Sequence, residues 1–579
     1  MTWSSLFQTL VFLALLVAIA KPLGAFMAAV FEGRRTFLSR PLRPIEHFIY
    51  RVCGVNPELQ QNWTAYTASC LSFGLLNFFL FYALLRWQQF LPLNPERFGT
   101  LHPPPGALPM TSDLAFNTAV SFLTNTSWQS YAGESTLSYL SQMLGITVQS
   151  FTSAAAGMAV AVALIRGFAR QGTDRLGNFW VDITRATLYV LLPISFLGAL
   201  FLCSQGVIQN FHPYGQVITV EGARQTIALG PVASQEPIKL ISSDGGGFFN
   251  VNSAHPFENP TPLTNLVEML LILAIPAAFP FTFGVMANNR RHGRALFVAM
   301  ALLFAGGCLI TAWSEQSGNP ALKVRGGNME GKETRFGIAA SAVFSVVSTA
   351  SSDGAVNSAH DSYMPLSTLV QMFNLKSGEV IFGGTGSGIM SMILIVLVTI
   401  FIAGLMVGRS PEYLGKKIEG KEIKMVMLAL VVTAAATLLF SCLPLLVNLP
   451  PGNYWNSGAP LASNLGNPGP HGLSEILYAY GSAVATNGSA MAGLNTNTPW
   501  FNLTLGLGML IGRFLTIIPA LAIAGSLARK KTMFTTIGTM PTDGWLFVFL
   551  LLGTIFLVTA LTFFPAFCLG PIAEAYRIR

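Results

Sequence analysis

At 579 residues the chain is 52% apolar and only 10% charged, with a mean hydropathy of +0.55. Soluble domains average about 25% charged residues. A soluble enzyme with a membrane tag, a disordered chain and a coiled coil are therefore excluded. Long unbroken apolar runs also exclude an outer-membrane barrel, whose strands alternate. The net charge of +8 reads as topology information, not as a nucleic-acid footprint.

Ten segments reach the ~20 residues that a helix needs to cross the hydrocarbon core. They are 5–29, 63–88, 135–166, 180–204, 263–287, 295–313, 365–407, 425–447, 500–526 and 545–568. The first has no basic region before it and no obvious small-residue cleavage site, so it reads as a retained helix. Of the 33 Lys and Arg residues, 19 fall in alternate connections, from Arg34–Arg51 through Arg409–Lys424 to Arg529–Lys531. The positive-inside rule then places both termini outside a multi-pass plasma membrane protein. The six cysteines are scattered and lack a CxxC pair, so they read as ordinary apolar-site thiols.

The outer connections contain apolar stretches too short to cross, such as Leu114–Leu123, Phe336–Ser348 and Ile476–Ala485. Each leads into a small polar cluster, the pattern of a re-entrant half-helix. The clusters are Thr124-Asn125-Thr126-Ser127, Ser243-Asp244-Gly245, Ser352-Asp353-Gly354 and Thr486-Asn487-Gly488. After each comes an octet that opens a long helix: LSYLSQML, LTNLVEML, LSTLVQMF and LTLGLGML. The repeat predicts an all-α membrane fold with four span/re-entrant-helix/span units around a pseudo-fourfold pore. The units run over 60–170, 178–290, 293–410 and 421–530, with single helices at 1–34 and 543–579. In this alignment Thr126 stands where the other three turns carry glycine.

Four such turns facing one axis suit a cation, because backbone carbonyls replace its hydration shell and glycine frees the backbone to aim them. His255 and His360 occupy equal positions in two copies and read as structural hydrogen-bonding groups. Charges at membrane depth default to functional positions. Lys376 and Arg513 each lie four residues past a methionine of their octets, and Glu379 follows Lys376. The run 383–388, Gly-Gly-Thr-Gly-Ser-Gly, predicts a crossing broken by an intramembrane loop. Nucleotide machinery is absent. Gly415–Lys421 matches GxxxxGK but lacks the following Ser or Thr, and no Asp-Lys-Thr-Gly phosphorylation motif occurs. The chain is not expected to hydrolyse ATP by itself.

The runs TNTSWQSYAGE from Thr124, GGGFFNVNSAHPFENPTPLTN from Gly245, NLKSGEVIFGGTGSG from Asn374 and GRSPEYLGKKIE from Gly408 resemble the potassium-binding subunit (KdpA) family of the Kdp pump, in the superfamily of potassium transporters. The resemblance covers essentially the whole chain. It implies K⁺ uptake from outside through a filter on the four turns, toward a P-type ATPase subunit (KdpB), with KdpC and the very small KdpF as further partners. It also implies that Glu379, Arg409 and Arg513 lie around a vestibule and tunnel. A self-sufficient K⁺ channel or ion-coupled symporter of the same superfamily is the alternative. A membrane enzyme built on Asp244, Asp353, His255 and His360 leaves the fourfold turn without a purpose.

Overall fold

The computed structural model describes residues 3–99, 108–318, 326–408, 410–447, 454–456, 461–533 and 540–577. In chain order its main helices are α1 (Trp3–Phe31), α2 (Ser39–Val52), α3 (Trp63–Trp87), α4 (Ser112–Leu123), α5 (Val148–Ala169), α6 (Phe179–Arg185), α7 (Leu192–Ser204), α8 (Val232–Ile241) and α9 (Pro262–Met286). They continue with α10 (Arg290–Gln316), α11 (Gly337–Ala350), α12 (Pro365–Lys376), α13 (Ser387–Met406), α14 (Gly420–Leu446), α15 (Pro470–Val484), α16 (Pro499–Arg529) and α17 (Trp545–Phe567). A π-helical stretch Ser141–Thr147 extends α5, and Ala186–Leu191 joins α6 to α7. Ten of these helical runs are long and apolar enough to cross a membrane. The chain is a multi-pass membrane protein, and the expected spans coincide with the observed ones to within about five residues except at two starts and at the end of the tenth, which runs to Arg577 instead of 568. The third begins at Ser141 instead of 135, and the seventh at Ser387 instead of 365.

Local chemistry sets the helix starts. Thr111, Thr261 and Thr498 accept backbone N–H bonds at the first turns of α4, α9 and α16. Pro262, Pro365 and Pro499 occupy the first helical position, where a missing N–H costs nothing. Three of the four octets open helices for this reason. The apolar run 365–407 is divided between two helices. α12 stops at Lys376, and left-handed backbone at Glu379, Phe382, Gly383 and Gly386 carries the chain into α13.

α5, α9 and α13 are mostly buried, while α1, α3 and α14 turn most of their apolar surface outward to lipid. Four short helices, α4, α8, α11 and α15, enter the bundle and stop inside it. Each is preceded by a long helix and followed by a polar turn and another helix. α8 is the re-entrant helix that the repeat calls for in the second unit, although its bounds were not legible in the sequence. Its charges are neutralised in place. Lys239 Nζ donates to Glu236 at 3.0 Å and to Glu258 at 2.7 Å, with all three side chains buried.

At the end that carries the basic loops, Arg166 pairs with Asp182 at 2.5 Å and 2.8 Å, and Tyr66 donates to the same carboxylate at 2.9 Å. Lys416 Nζ donates to the carbonyls of Gly167 and Leu527, both at 2.8 Å, and also to that of Arg170. One ammonium thus satisfies the last carbonyls of both α5 and α16. Burial pushes Lys416 down to about 8.

Candidate ion-binding site

The four re-entrant helices end in the same way. Immediately past each helix and its capping residue stands a residue in the left-handed region: Asn125 (φ 58°), Ser243 (51°), Ser352 (54°) and Thr486 (52°). In three of the turns the next N–H reaches back five residues into the helix, from Thr126 to Ser121, Asp244 to Lys239 and Asn487 to Ser482, at 2.9–3.1 Å. This is a Schellman-type end, which reverses the chain sharply. It also corrects the register of the first turn by one residue. Thr124 is the helix cap, equivalent to Ser242, Ser351 and Ala485. Thr126 matches Asp244, Asp353 and Asn487, and Ser127 (φ 57°) stands where the other turns have Gly245, Gly354 and Gly488. The similar hydroxyl–amide order hid the shift, and the backbone handedness reveals it.

The turns close on one another through these positions. A Cβ placed on Gly245 would overlap the backbone of Gly354 and Ala355. One on Gly354 would lie 3.0 Å from the carbonyl carbon of Gly488, and one on Gly488 would overlap the Thr126 carbonyl. Gly246 faces Ser127 in the same way, which completes the circuit. Hydrogen bonds tie the same neighbours. Asn125 Nδ2 donates to the carbonyls of Ser242 (3.1 Å) and Ser243 (2.8 Å). The Gly354 N–H donates to the Asp244 carbonyl at 3.3 Å, and Asn487 Nδ2 to the Ser348 carbonyl at 2.9 Å.

The side chains at the Thr126 position are held within the framework. Asp244 accepts from Ser127 and, at 2.5 Å, from Ser150 of α5. Asp353 Oδ1 accepts from the Ala355 N–H at 2.9 Å, and Asn487 Oδ1 from the Ser489 N–H at 3.0 Å. Thr126 Oγ1 meets Thr124 Oγ1 at 2.7 Å. What the ring presents in common is backbone, at the C-terminal and therefore electronegative ends of four helices.

The glycine-rich loop lies against the ring. Thr385 Oγ1 reaches Ser243 Oγ at 3.0 Å and the Ile241 carbonyl at 3.2 Å, while the Gly383 N–H donates to the Ala350 carbonyl at 2.8 Å. Beyond it is a cavity of 530 Å³ bounded by α12, α13, α14, α16 and α17. Lys376, Glu379 and Arg513 all line it, with Thr486 of the fourth turn at its ring end. Glu379 Oε1 accepts from Thr486 at 3.0 Å. Arg513 donates to the Ser153 carbonyl at 3.2 Å and Lys376 to the Leu477 carbonyl at 2.9 Å. Exposed Ile402 and Val431 lie on the cavity's apolar, lipid-facing side.

A family model described as potassium-transporting ATPase A subunit, KdpA, matches residues 10–576. The chain belongs to this family. Two curated relatives are named potassium-transporting ATPase potassium-binding subunit. The one from Solibacter usitatus is 54% identical over 100% of this chain and 98% of its own. The one from Rhodospirillum centenum is 54% identical over 99% and 98%. The crystal structure of the potassium transporter TrkH from Vibrio parahaemolyticus superposes with a TM-score of 0.51 at 14% identity, covering 86% of this chain and 97% of that one. At that identity the likeness is one of fold.

In this A-subunit family member, the sequence-selected turn residues and the three charges Lys376, Glu379 and Arg513 fall on one ring and the cavity beneath it. Arg409 lies outside the described residues. His255 stacks on Phe249 with ring centroids 3.7 Å apart, and burial lowers its pKa. His360 Nδ1 meets Tyr478 Oη at 2.8 Å, and burial pushes it down to about 3. Sequence reasoning missed Ser150 and Ser153, which hold Asp244 and Asn125 from α5, and the Glu236–Lys239–Glu258 cluster. The serines carried no signal of their own. Lys239, five residues before Asp244, carried one, since a lysine so close to a buried turn needs a partner.

Proposed function

We propose that the chain takes K⁺ from outside a bacterial inner membrane on the carbonyls of the four turns and passes it sideways to a partner P-type ATPase. The observation that carries the reading is the closed ring of four helix C-termini lying above a cavity whose walls hold three intramembrane charges. A dehydrated cation at such a site gains carbonyl dipoles from every quadrant. The expected filter comprises Thr124–Ser127, Ser243–Gly245, Ser352–Gly354 and Thr486–Gly488, with the correction that Ser127 supplies the fourth glycine-like position.

A charge at membrane depth costs about 2.5–3.5 kcal/mol on insertion scales. Three charges converging on one cavity are better explained by ion traffic than by packing. Lys376 and Arg513 would oppose free flow of a cation, and Glu379 would receive it beside Thr486. The opening toward lipid between α13, α14 and α17 is where a tunnel to the ATPase chain (KdpB) would leave, with KdpC and KdpF completing the complex. ATP would be hydrolysed on the partner, not here. Both termini would lie outside, and the repeat boundaries would follow the four span/re-entrant-helix/span units. Co-purification with the P-type ATPase chain, followed by ATP hydrolysis in K⁺ or Na⁺, tests the reading. Stimulation by K⁺ alone is expected. Equal stimulation by Na⁺, or none by either ion, would overturn it.

A further inference from the structure

α2 lies between the first two spans and divides its surface into three sectors. Leu42, Glu46, Ile49 and Tyr50 pack on the protein, against Val30, Leu188 and Tyr189. Pro41, Ile45, Phe48 and Val52, spaced for one helix face, are exposed. Arg40, Arg43, His47 and Arg51 form the third sector. An exposed apolar stripe beside a basic one, on a helix held to the bundle by its remaining face, is the pattern of a helix lying in the membrane interface.

Between this basic sector and the end of α1 lies a pocket of 140 Å³ lined by Arg34, Arg35, Thr36, Ser39, Arg43 and His47, with Arg185 at its inner end. Two of its acidic neighbours are already engaged. Glu46 accepts from Arg185 (2.9 Å), Tyr50 (2.8 Å) and Tyr189 (2.7 Å). Burial opposes its charge, but these three bonds outweigh burial and hold its carboxyl below the usual range. Glu32 pairs with Arg34 at 2.7 Å, and exposed Glu58 lines the outer edge. Arg35 and Arg43 have no ion pair among the described residues. The pocket thus offers two unpaired guanidinium groups, hydroxyls at Thr36 and Ser39, and an adjoining apolar stripe.

We propose that this pocket holds the phosphate of an anionic phospholipid, whose acyl chains lie along the Ile45–Phe48–Val52 stripe. Guanidinium groups suit phosphate geometry, and basic pockets at the ends of membrane helices take lipid head groups. Only the choice of the cytoplasmic leaflet rests on the orientation proposed above.

The test uses the full complex in detergent, with lipid retention measured by native mass spectrometry after addition of phosphatidylglycerol or phosphatidylcholine. The wild type should retain phosphatidylglycerol preferentially. Arg35→Gln/Arg43→Gln should reduce that preference at least fivefold, and Arg35→Lys/Arg43→Lys should restore part of it. Arg224→Gln, on the exposed hairpin of strands Gly215–Ile218 and Arg224–Ile227, should leave it unchanged. An unchanged preference in the Gln pair would overturn the site. Displacement of the lipid by millimolar inorganic phosphate would also overturn it, since that marks a free-anion site. The leaflet is tested separately. Cys53 is exposed just past α2, and a membrane-impermeant maleimide should reach it in inverted vesicles but not in whole cells. Labelling from outside would overturn the orientation without touching the lipid result.

Discussion

Replacing Gly245 by alanine adds one methyl group at the tightest point between the second and third turns. The residue has φ +86°, where a side chain is strained by roughly 1 kcal/mol. That term is the smaller one, since Asn125, Ser243, Ser352 and Thr486 already tolerate left-handed backbone nearby. The larger effect is steric. The new Cβ would lie 2.5 Å from the Gly354 Cα and overlap the N–H groups of Gly354 and Ala355. All three are backbone, so no side chain can swing away, and the two turns must part by about 1 Å to restore van der Waals contact. A displacement of that size at a preorganised site is expected to weaken ion binding by about 10- to 100-fold, or ~1.4–2.8 kcal/mol. The assay is the K⁺ dependence of ATP hydrolysis by the assembled complex. Gly245→Ala should raise the half-saturating K⁺ concentration by that factor. Gly553→Ala, where an added Cβ meets nothing within 4 Å, should not. A Gly245→Ala complex that saturates at the wild-type concentration would refute the reasoning about ring closure.

Other perturbations probe the surroundings of the ring. Lys239→Met strands two buried carboxylates, Glu236 and Glu258, at a cost of about 3–5 kcal/mol; thermal unfolding of the complex should show the loss, and a melting temperature equal to wild type would contradict it. Arg513→Gln removes a cation from the cavity and should lower K⁺ moved per ATP hydrolysed in proteoliposomes, whereas an unaltered ratio would separate Arg513 from ion traffic. His471 bonds to Asp361 and Glu574, both at 2.8 Å, and these bonds raise its pKa from 6.5 to about 10. A raised histidine pKa gives stability that is complete below pH 6.5 and lost as pH climbs toward 10. Wild type should therefore lose more thermal stability than His471→Gln between pH 7 and pH 10, and parallel curves would show that the tie contributes nothing.

The spans were legible because twenty-residue apolar runs and basic loops are strong, redundant signals. The interruption between α12 and α13 was legible from the glycines at 383, 384 and 386. α8 was legible as a member of the repeat but not in its bounds, because Glu236 and Lys239 look like solvent-facing residues until Glu258, distant in sequence, neutralises them inside the protein. The one-residue slip at Thr124–Ser127 has a similar origin. Residue types suggested one alignment, while the alignment that matters follows φ at Asn125 and the hydrogen bond from Thr126 to Ser121. Lys376 and Arg513 were singled out by equivalent repeat positions and Glu379 as a charge beside Lys376, whereas the sideways opening of their cavity depends on how α13, α14 and α17 pack.

The central claim is that the four turns hold the transported ion. A structure of the complex in Tl⁺, with anomalous scattering to locate the ion, tests it most directly. The account predicts an anomalous peak on the axis enclosed by Ser127, Gly245, Gly354 and Gly488, lost on replacement by Na⁺ and weakened in Gly245→Ala. A strong Tl⁺ peak elsewhere in the chain, with none inside the ring, would contradict it.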